Sequence, residues 1–136
     1  MNGAPGMTIH RWEGQGYQPL VFSHDWQVAL LNWEPVFDTA AQGEIERHNQ
    51  TDEVFVLVKG KAVLFTITET GEMLIEEMEP NVIYNVTRGA WHNLVATRDA
   101  TWIIVENRNT HLGDTEFRQL TMSETAQLRA SLPDWA

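Results

Sequence analysis

The chain has 136 residues and no cysteine, and its 19 acidic residues against 9 basic ones give a net charge of −10. That length suits one domain with a real core; the missing cysteines rule out a disulfide framework or a thiolate metal site, and the charge argues against nucleic acid and anionic membranes as partners. No apolar run is long enough to cross a membrane, and the opening Met1–Gly6 lacks the charged and apolar parts of a signal peptide, so a cytoplasmic protein is expected.

In chain order, residues 1–19 read as an N-terminal extension: the glycines of 3–6 and 14–16 make a loose start, and Thr8–Trp12 is the candidate for an edge strand. Strand signals then recur at short regular spacing, which favours an all-β sandwich or barrel over about residues 20–112. The expected strands are Gln27–Asn32, Glu44–His48, Val54–Lys59, Ala62–Thr68, Met73–Met78, Val82–Val86, His92–Thr97 and Thr101–Glu106. Gly60, Gly71 and Gly89 mark the turns between them. In Val54–Leu57 and Trp102–Val105 both parities are apolar, so these strands are expected to be covered on both faces, by the barrel interior and by a second sheet or a partner subunit. That need for cover, together with the hazard of open strand edges, predicts a homodimer. Val63, Phe65 and Ile67 alternate with Leu64, Thr66 and Thr68, a half-exposed pattern. The acidic cluster Glu69, Glu72, Glu76, Glu77 and Glu79 reads as a solvated hairpin. Glu106–His111 reads as a rim loop with His111 in solvent. In the tail, 116–136, Thr121 and Glu124 have the spacing of a capping box, which predicts a short helix over Thr125–Leu132, stopped by Pro133 and laid against the barrel by Leu128.

Two stretches carry residues suited to chemistry. Glu46 and His48 are two apart, so on a strand they share a face; Glu53 then opens an apolar run that ends at Gly60. Further on, Pro80, Gly89 and His92 punctuate and close a short strand. Taken singly, these residues have ordinary readings, His48 bonded to Asp52 and Glu53 paired with Arg47 or Arg88.

Together they resemble the two motifs of the cupin superfamily. His48, Glu53 and Gly60 fall on the second histidine, the glutamate and the glycine of the first motif, and Pro80, Gly89 and His92 fall on their places in the second. Glu46 replaces the first histidine, which makes the first motif degenerate; Asn81 stands for a glycine, Thr87 for a proline and Ala96 for an asparagine. The resemblance covers 46–92 by motif and about 26–109 by strand pattern. It implies a single cupin domain, a double-stranded β-helix (jelly-roll barrel), holding a divalent metal, Zn, Fe, Mn or Ni, on His48, Glu53, His92 and Glu46. It further implies either an enzyme (isomerase, lyase or dioxygenase) acting on a small sugar-like or organic-acid molecule, or a non-catalytic binding or assembly cupin whose metal site is degenerate or empty. Glu46 and Tyr84 are the candidates for a catalytic role, Glu46 as a general base if it is not a ligand. Arg47, Trp33 and Asn93 are the candidates for contacting the small-molecule ligand.

Overall fold

An alternating strand can bury only one face, so strands of this kind must pair into sheets and the sheets must stack. The computed structural model describes residues 5–136, and residues 1–4 of the expected N-terminal extension lie outside the described residues. Among the described residues ten strands form: β1 (Tyr17–Phe22), β2 (Trp26–Asn32), β3 (Glu44–Arg47), β4 (Glu53–Lys59), β5 (Ala62–Ile67), β6 (Met73–Glu77), β7 (Ile83–Val86), β8 (Trp91–Ala96), β9 (Thr101–Asn107) and β10 (Glu116–Gln119). A one-turn helix α1 (Thr110–Gly113) precedes β10, and α2 (Met122–Ser131) follows it. The strands make two five-stranded sheets, in the orders β1-β2-β9-β4-β7 and β10-β3-β8-β5-β6, with every pairing antiparallel. Stacked face to face, they are a jelly roll.

All eight strands expected from the alternation are present, each within a residue or so at its ends. Strands β1 and β10 were not expected. They arise from the segments read as extension and tail, and β10 holds only four residues, too few for a periodic signal. Thr8–Trp12, in contrast, is not a strand. It lies just before β1, which takes the outer edge of the first sheet itself.

The inner faces meet in one core that includes Leu31, Phe37, Phe55, Leu57, Leu64, Leu94, Trp102 and Ile104. The outer face of the second sheet carries another cluster, Ile45, Val63, Phe65, Ile67 and Val95, closed by Leu128 of α2. Strand β5 is therefore apolar and buried on both sides, and the half-exposed reading of Val63–Thr68 is corrected: the C-terminal segment, far away in sequence, supplies the cover. On β4 and β9 the chain itself covers only the inner face. Their inward residues Phe55, Leu57, Trp102 and Ile104 are buried, but outward Val58 and Ile103 are exposed, and Val54, Val56 and Val105 are only half-buried within the chain.

Helix α2 begins with the expected capping box, the Thr121 hydroxyl accepting from Glu124 N–H while the Glu124 carboxylate accepts from Thr121 N–H. It is pinned by the bidentate pair Arg118–Glu124 at 2.8 and 2.9 Å. The Arg47 and Arg118 guanidiniums lie over the Trp91 ring, 4.5 and 5.1 Å from its centroid, and join β3, β10 and β8 on the outer side. Left-handed backbone is decisive at two of the corners. Gly60 has φ +82°, and an added Cβ would lie 2.6 Å from Ala100 Cα, so a side chain is excluded there. Asn81 has φ 67°, a conformation asparagine tolerates better than most residues, which accounts for its standing at a glycine position.

Candidate metal centre

The pleat decides which side chains reach the interior. On β3, Glu46 faces inward and lies directly opposite His92 of β8. His48 follows the end of the strand on the same face, so Arg47 between them must point out. It does, pairing with Glu69 and Glu116. Glu53 leads into β4, whose inward residues continue with Phe55 and Leu57.

Glu53 is the centre of the group. Its Oε1 lies 3.0 Å from His48 Nε2 and 2.9 Å from His92 Nε2. His48 Nε2 is also 3.6 Å from Glu46 Oε2 and 3.9 Å from Glu106 Oε1. Each imidazole is oriented through its other nitrogen. His48 Nδ1 donates to the Asp114 carbonyl at 2.8 Å, and His92 Nδ1 to the Ala90 carbonyl at 3.1 Å, so both Nε2 atoms turn toward the same point. The carbonyls are themselves well placed. Asp114 is held by Asn49 and Gln50 N–H, each 2.9 Å from its carboxylate, and Gly89 N–H donates to the His48 carbonyl at 2.6 Å. Asp52, read from sequence as a partner for His48, instead accepts from Arg88 N–H and the Asn85 amide.

His48, Glu53, His92 and Glu106 are buried, and the Glu46 side chain is 37% exposed. Burial works against the charge on His48, but the hydrogen bond and charge of Glu53 outweigh it and push the imidazole up to about 9. His92 is raised in the same way against the same penalty. Burial opposes the Glu53 charge too, yet two imidazole hydrogen bonds hold this carboxyl well below its ordinary range. Glu46 is raised by burial.

Glu106 was missed as a site residue. It is the last inward residue of β9 after Trp102 and Ile104, and that parity was the available signal; it was read as the start of a rim loop instead. The Tyr17 hydroxyl donates to its Oε2, and Gln27 Nε2 donates to the Tyr17 oxygen at 2.9 Å and to His111 Nδ1 at 3.1 Å. The other oxygen, Oε1, is buried with no hydrogen-bond partner and is the atom nearest His48. Burial and then the Glu53 charge push Glu106 up to about 8, and burial likewise raises Tyr17.

These donors fit a divalent cation. Bonds of about 2.1 Å at right angles put neighbouring ligands about 3 Å apart, close to the separations of Glu53 from both imidazoles. Two subsets, Glu46–His48–His92 and His48–Glu53–Glu106, each have donor atoms within 4.8 Å of one another. Two imidazoles with carboxylates suit Zn, Fe, Mn or Ni alike.

The centre opens on a cavity of about 320 Å³, walled by Leu31, Phe37, Phe55, Ile104 and Phe117 among others. Asn93 borders it, with its amide donating to the Glu44 carbonyl at 2.7 Å. His111 borders it as well, exposed and tied to Gln27. The other residues singled out from sequence are not brought here. Arg47 points outward; Trp33 packs beside Arg98, whose guanidinium lies 5.3 Å from its ring centroid; and the Tyr84 hydroxyl accepts from Glu79 N–H at the far side of the core.

No family model matches the chain, and no curated protein matches it. Solved structures do. A cupin-2 domain containing protein from Shewanella frigidimarina aligns at a TM-score of 0.53 and 19% identity over 71% of this chain and 85% of its own. The capsular polysaccharide assembling protein CapF from Staphylococcus aureus aligns at 0.58 and 17% identity, over 81% of this chain and 32% of its own. Oxalate decarboxylase from Lactobacillus farciminis, in a formate complex, aligns at 0.51 and 14% identity, over 72% and 30%. This chain thus spans about a third of the two larger proteins. The fold is the cupin fold, and its interior holds a buried group of imidazoles and carboxylates able to bind a metal.

Proposed function

We propose that the protein is a metal-dependent enzyme, with a divalent ion held by His48, Glu53 and His92, joined by Glu46 from the sheet of the histidines and by Glu106 from the sheet of Glu53. The observation that carries this reading is the pair of anchored imidazoles. Both Nδ1 atoms are committed to backbone carbonyls, and the two Nε2 atoms converge on one carboxylate oxygen, where a bound ion can replace the Nε2 protons. A cation between them satisfies all three donors at once. When bound, such an ion polarises a substrate oxygen. The cavity is large enough for a small polar molecule. When it is not on the ion, Glu46, partly exposed beside the centre and without a hydrogen bond, is placed to take and return a proton at a bound ligand, the work that isomerase and lyase steps need. The Tyr17 hydroxyl fixes which oxygen of Glu106 faces the centre.

The test is elemental analysis of protein purified without a histidine tag. About one divalent ion per chain is expected, and it is lost from His92→Ala. Full occupancy in both His48→Ala and His92→Ala would refute the assignment.

A homodimer is the second part of the reading. The outer face of the first sheet presents Leu30, Val54, Val56, Ile83, Ile103 and Val105 in register, with no charged side chain among them. The equivalent face of the second sheet is covered by the chain's own α2. In a chain of net charge −10, an uncharged surface is where a second copy can approach without strong repulsion. Light scattering should give twice the chain mass, and Ile103→Asp should give the monomer mass. A monomeric wild type at working concentration ends the idea. Among the described residues no helix is long and apolar enough to cross a membrane, and a cytoplasmic setting suits a cysteine-free chain.

A further inference from the structure

The cavity that the preceding reading treats as the substrate site has an unusual charge. Five glutamates, Glu34, Glu44, Glu46, Glu53 and Glu106, border it, and among the described residues no lysine or arginine does. Charge at Glu53 and Glu106 is offset by the two imidazoles or by a bound ion, whereas Glu34 and Glu44 form no ion pair among the described residues and keep the wall anionic. The one arginine on the strand that supplies Glu44 and Glu46 is Arg47, which is spent outside on Glu69 and Glu116.

The hydrogen-bond inventory points the same way. Most donors facing the cavity are already used, the Tyr17 hydroxyl on Glu106, the Asn93 amide on the Glu44 carbonyl, and both imidazole Nε2 atoms on Glu53 Oε1; His111, whose Nδ1 accepts from Gln27, keeps its Nε2. Acceptors are left over. Glu106 Oε1 is buried without a partner on a side chain only 2% exposed, and the Glu46 carboxylate approaches nothing closer than His48 Nε2 at 3.6 Å. A metal can take up Glu106 and Glu53. It does not reach the rim carboxylates Glu34 and Glu44, which are partly or fully exposed.

We propose that the cavity selects a small protonated amine, its N–H donors turned to Glu34, Glu44 and Glu46 and its alkyl part against Phe37, Phe55 and Phe117. Aromatic walls suit this ligand, because ring faces attract a cation while burying its hydrocarbon. An organic acid, one of the substrate classes expected from sequence, has a bound ion and His111 to receive it, but its charge is opposed by Glu34, Glu44 and Glu46. Placing this ligand beside the metal rests on the reading of the cavity as an enzyme site; the charge preference itself does not require the ion.

Three probes of one shape separate charge from size: isobutylamine, isobutanol and isobutyrate, protonated, neutral and anionic at pH 7. They are titrated into zinc-loaded wild-type protein and followed by NMR, with metal content measured beforehand. The amine should bind at least tenfold more tightly than the alcohol, and the carboxylate should bind more weakly than either. Raising salt tenfold should weaken the amine alone. In the double variant Glu34→Gln, Glu44→Gln, the preference for amine over alcohol should fall at least fivefold with alcohol binding unchanged. Isobutyrate binding as tightly as the amine, amine and alcohol binding alike, or no amine binding at tens of millimolar each overturns the proposal. The same titration of chelator-treated protein keeps the two readings apart. A chain that retains no metal yet prefers the amine sinks the metal assignment and leaves the ligand class standing.

Discussion

Glu53→Gln is the substitution that tests the centre most directly, because the change keeps the shape and removes only the charge shared by two imidazoles. In metal-free protein, against the cost of burial, the hydrogen bond and charge of Glu53, with smaller help from the Asp114 carbonyl and Glu46, raise His48 from its ordinary 6.5 to about 9. At about 1.4 kcal/mol per pH unit, that difference corresponds to on the order of 3 kcal/mol. His48 is 5% exposed, so little of this is lost to solvent screening. The depressed Glu53 is the other side of the same interaction and is not counted again. A histidine raised by folding stabilises fully below its unfolded value and loses that contribution as pH rises through its folded value. Chelator-treated wild type should therefore lose stability between pH 6.5 and about 9, and Glu53→Gln should be less stable at pH 6 by about 3 kcal/mol, with the gap closing above pH 9. Urea denaturation midpoints across that range, read with the slope held fixed, give both quantities. Curves for the two proteins that run parallel from pH 6 to pH 10 would refute the reasoning.

The remaining predictions concern the second sheet. Leu128 is fully buried and is the one buried residue of α2, so Leu128→Ala should cost about 2–5 kcal/mol in denaturant unfolding. Metal content should be unchanged, since Leu128 lies on the opposite side of that sheet from the centre. The Arg118 hydrogen bonds hold Glu124 down to about 2, so its contribution is present above pH 4.5 and fades as pH falls toward 2. Glu124→Gln should remove about 1 kcal/mol of that acid-side loss, a small figure because solvent screens the pair, and acid unfolding followed by circular dichroism measures it.

Much of the centre was legible because a strand has a period of two. Glu46, His48 and the alternation after Glu53 specified a shared face before any partner was known, and Asn81 at a glycine position was legible from its tolerance of left-handed backbone. The same period was available for Glu106, two residues beyond Ile104, and for Gln27, two before Ala29. Gln27 was placed in its strand but given no role, and Glu106, polar at the end of its strand, was read as the onset of a loop. Arg47 carries the reverse lesson. Its neighbours faced the cavity, so the pleat turned it away.

What the sequence by itself determined is local: which segments are strands, which residues of each share a face, where the chain must turn, and how α2 begins. These follow from backbone geometry and from side chains a few residues apart. Whether an apolar face is covered was decided only in the tertiary structure. Val63, Phe65 and Ile67 are buried because a helix some sixty residues later lies on them, while the equally apolar outer faces of β4 and β9 receive nothing from the chain. The identity of the groups around the imidazoles was decided there too. Tyr17, Glu53 and Glu106 lie on three strands of one sheet and His92 on the other, and only stacking the two sheets places them within hydrogen-bonding reach. Burial and charge depend on which distant segments meet, and the periodicity of a single strand carries no record of its neighbours.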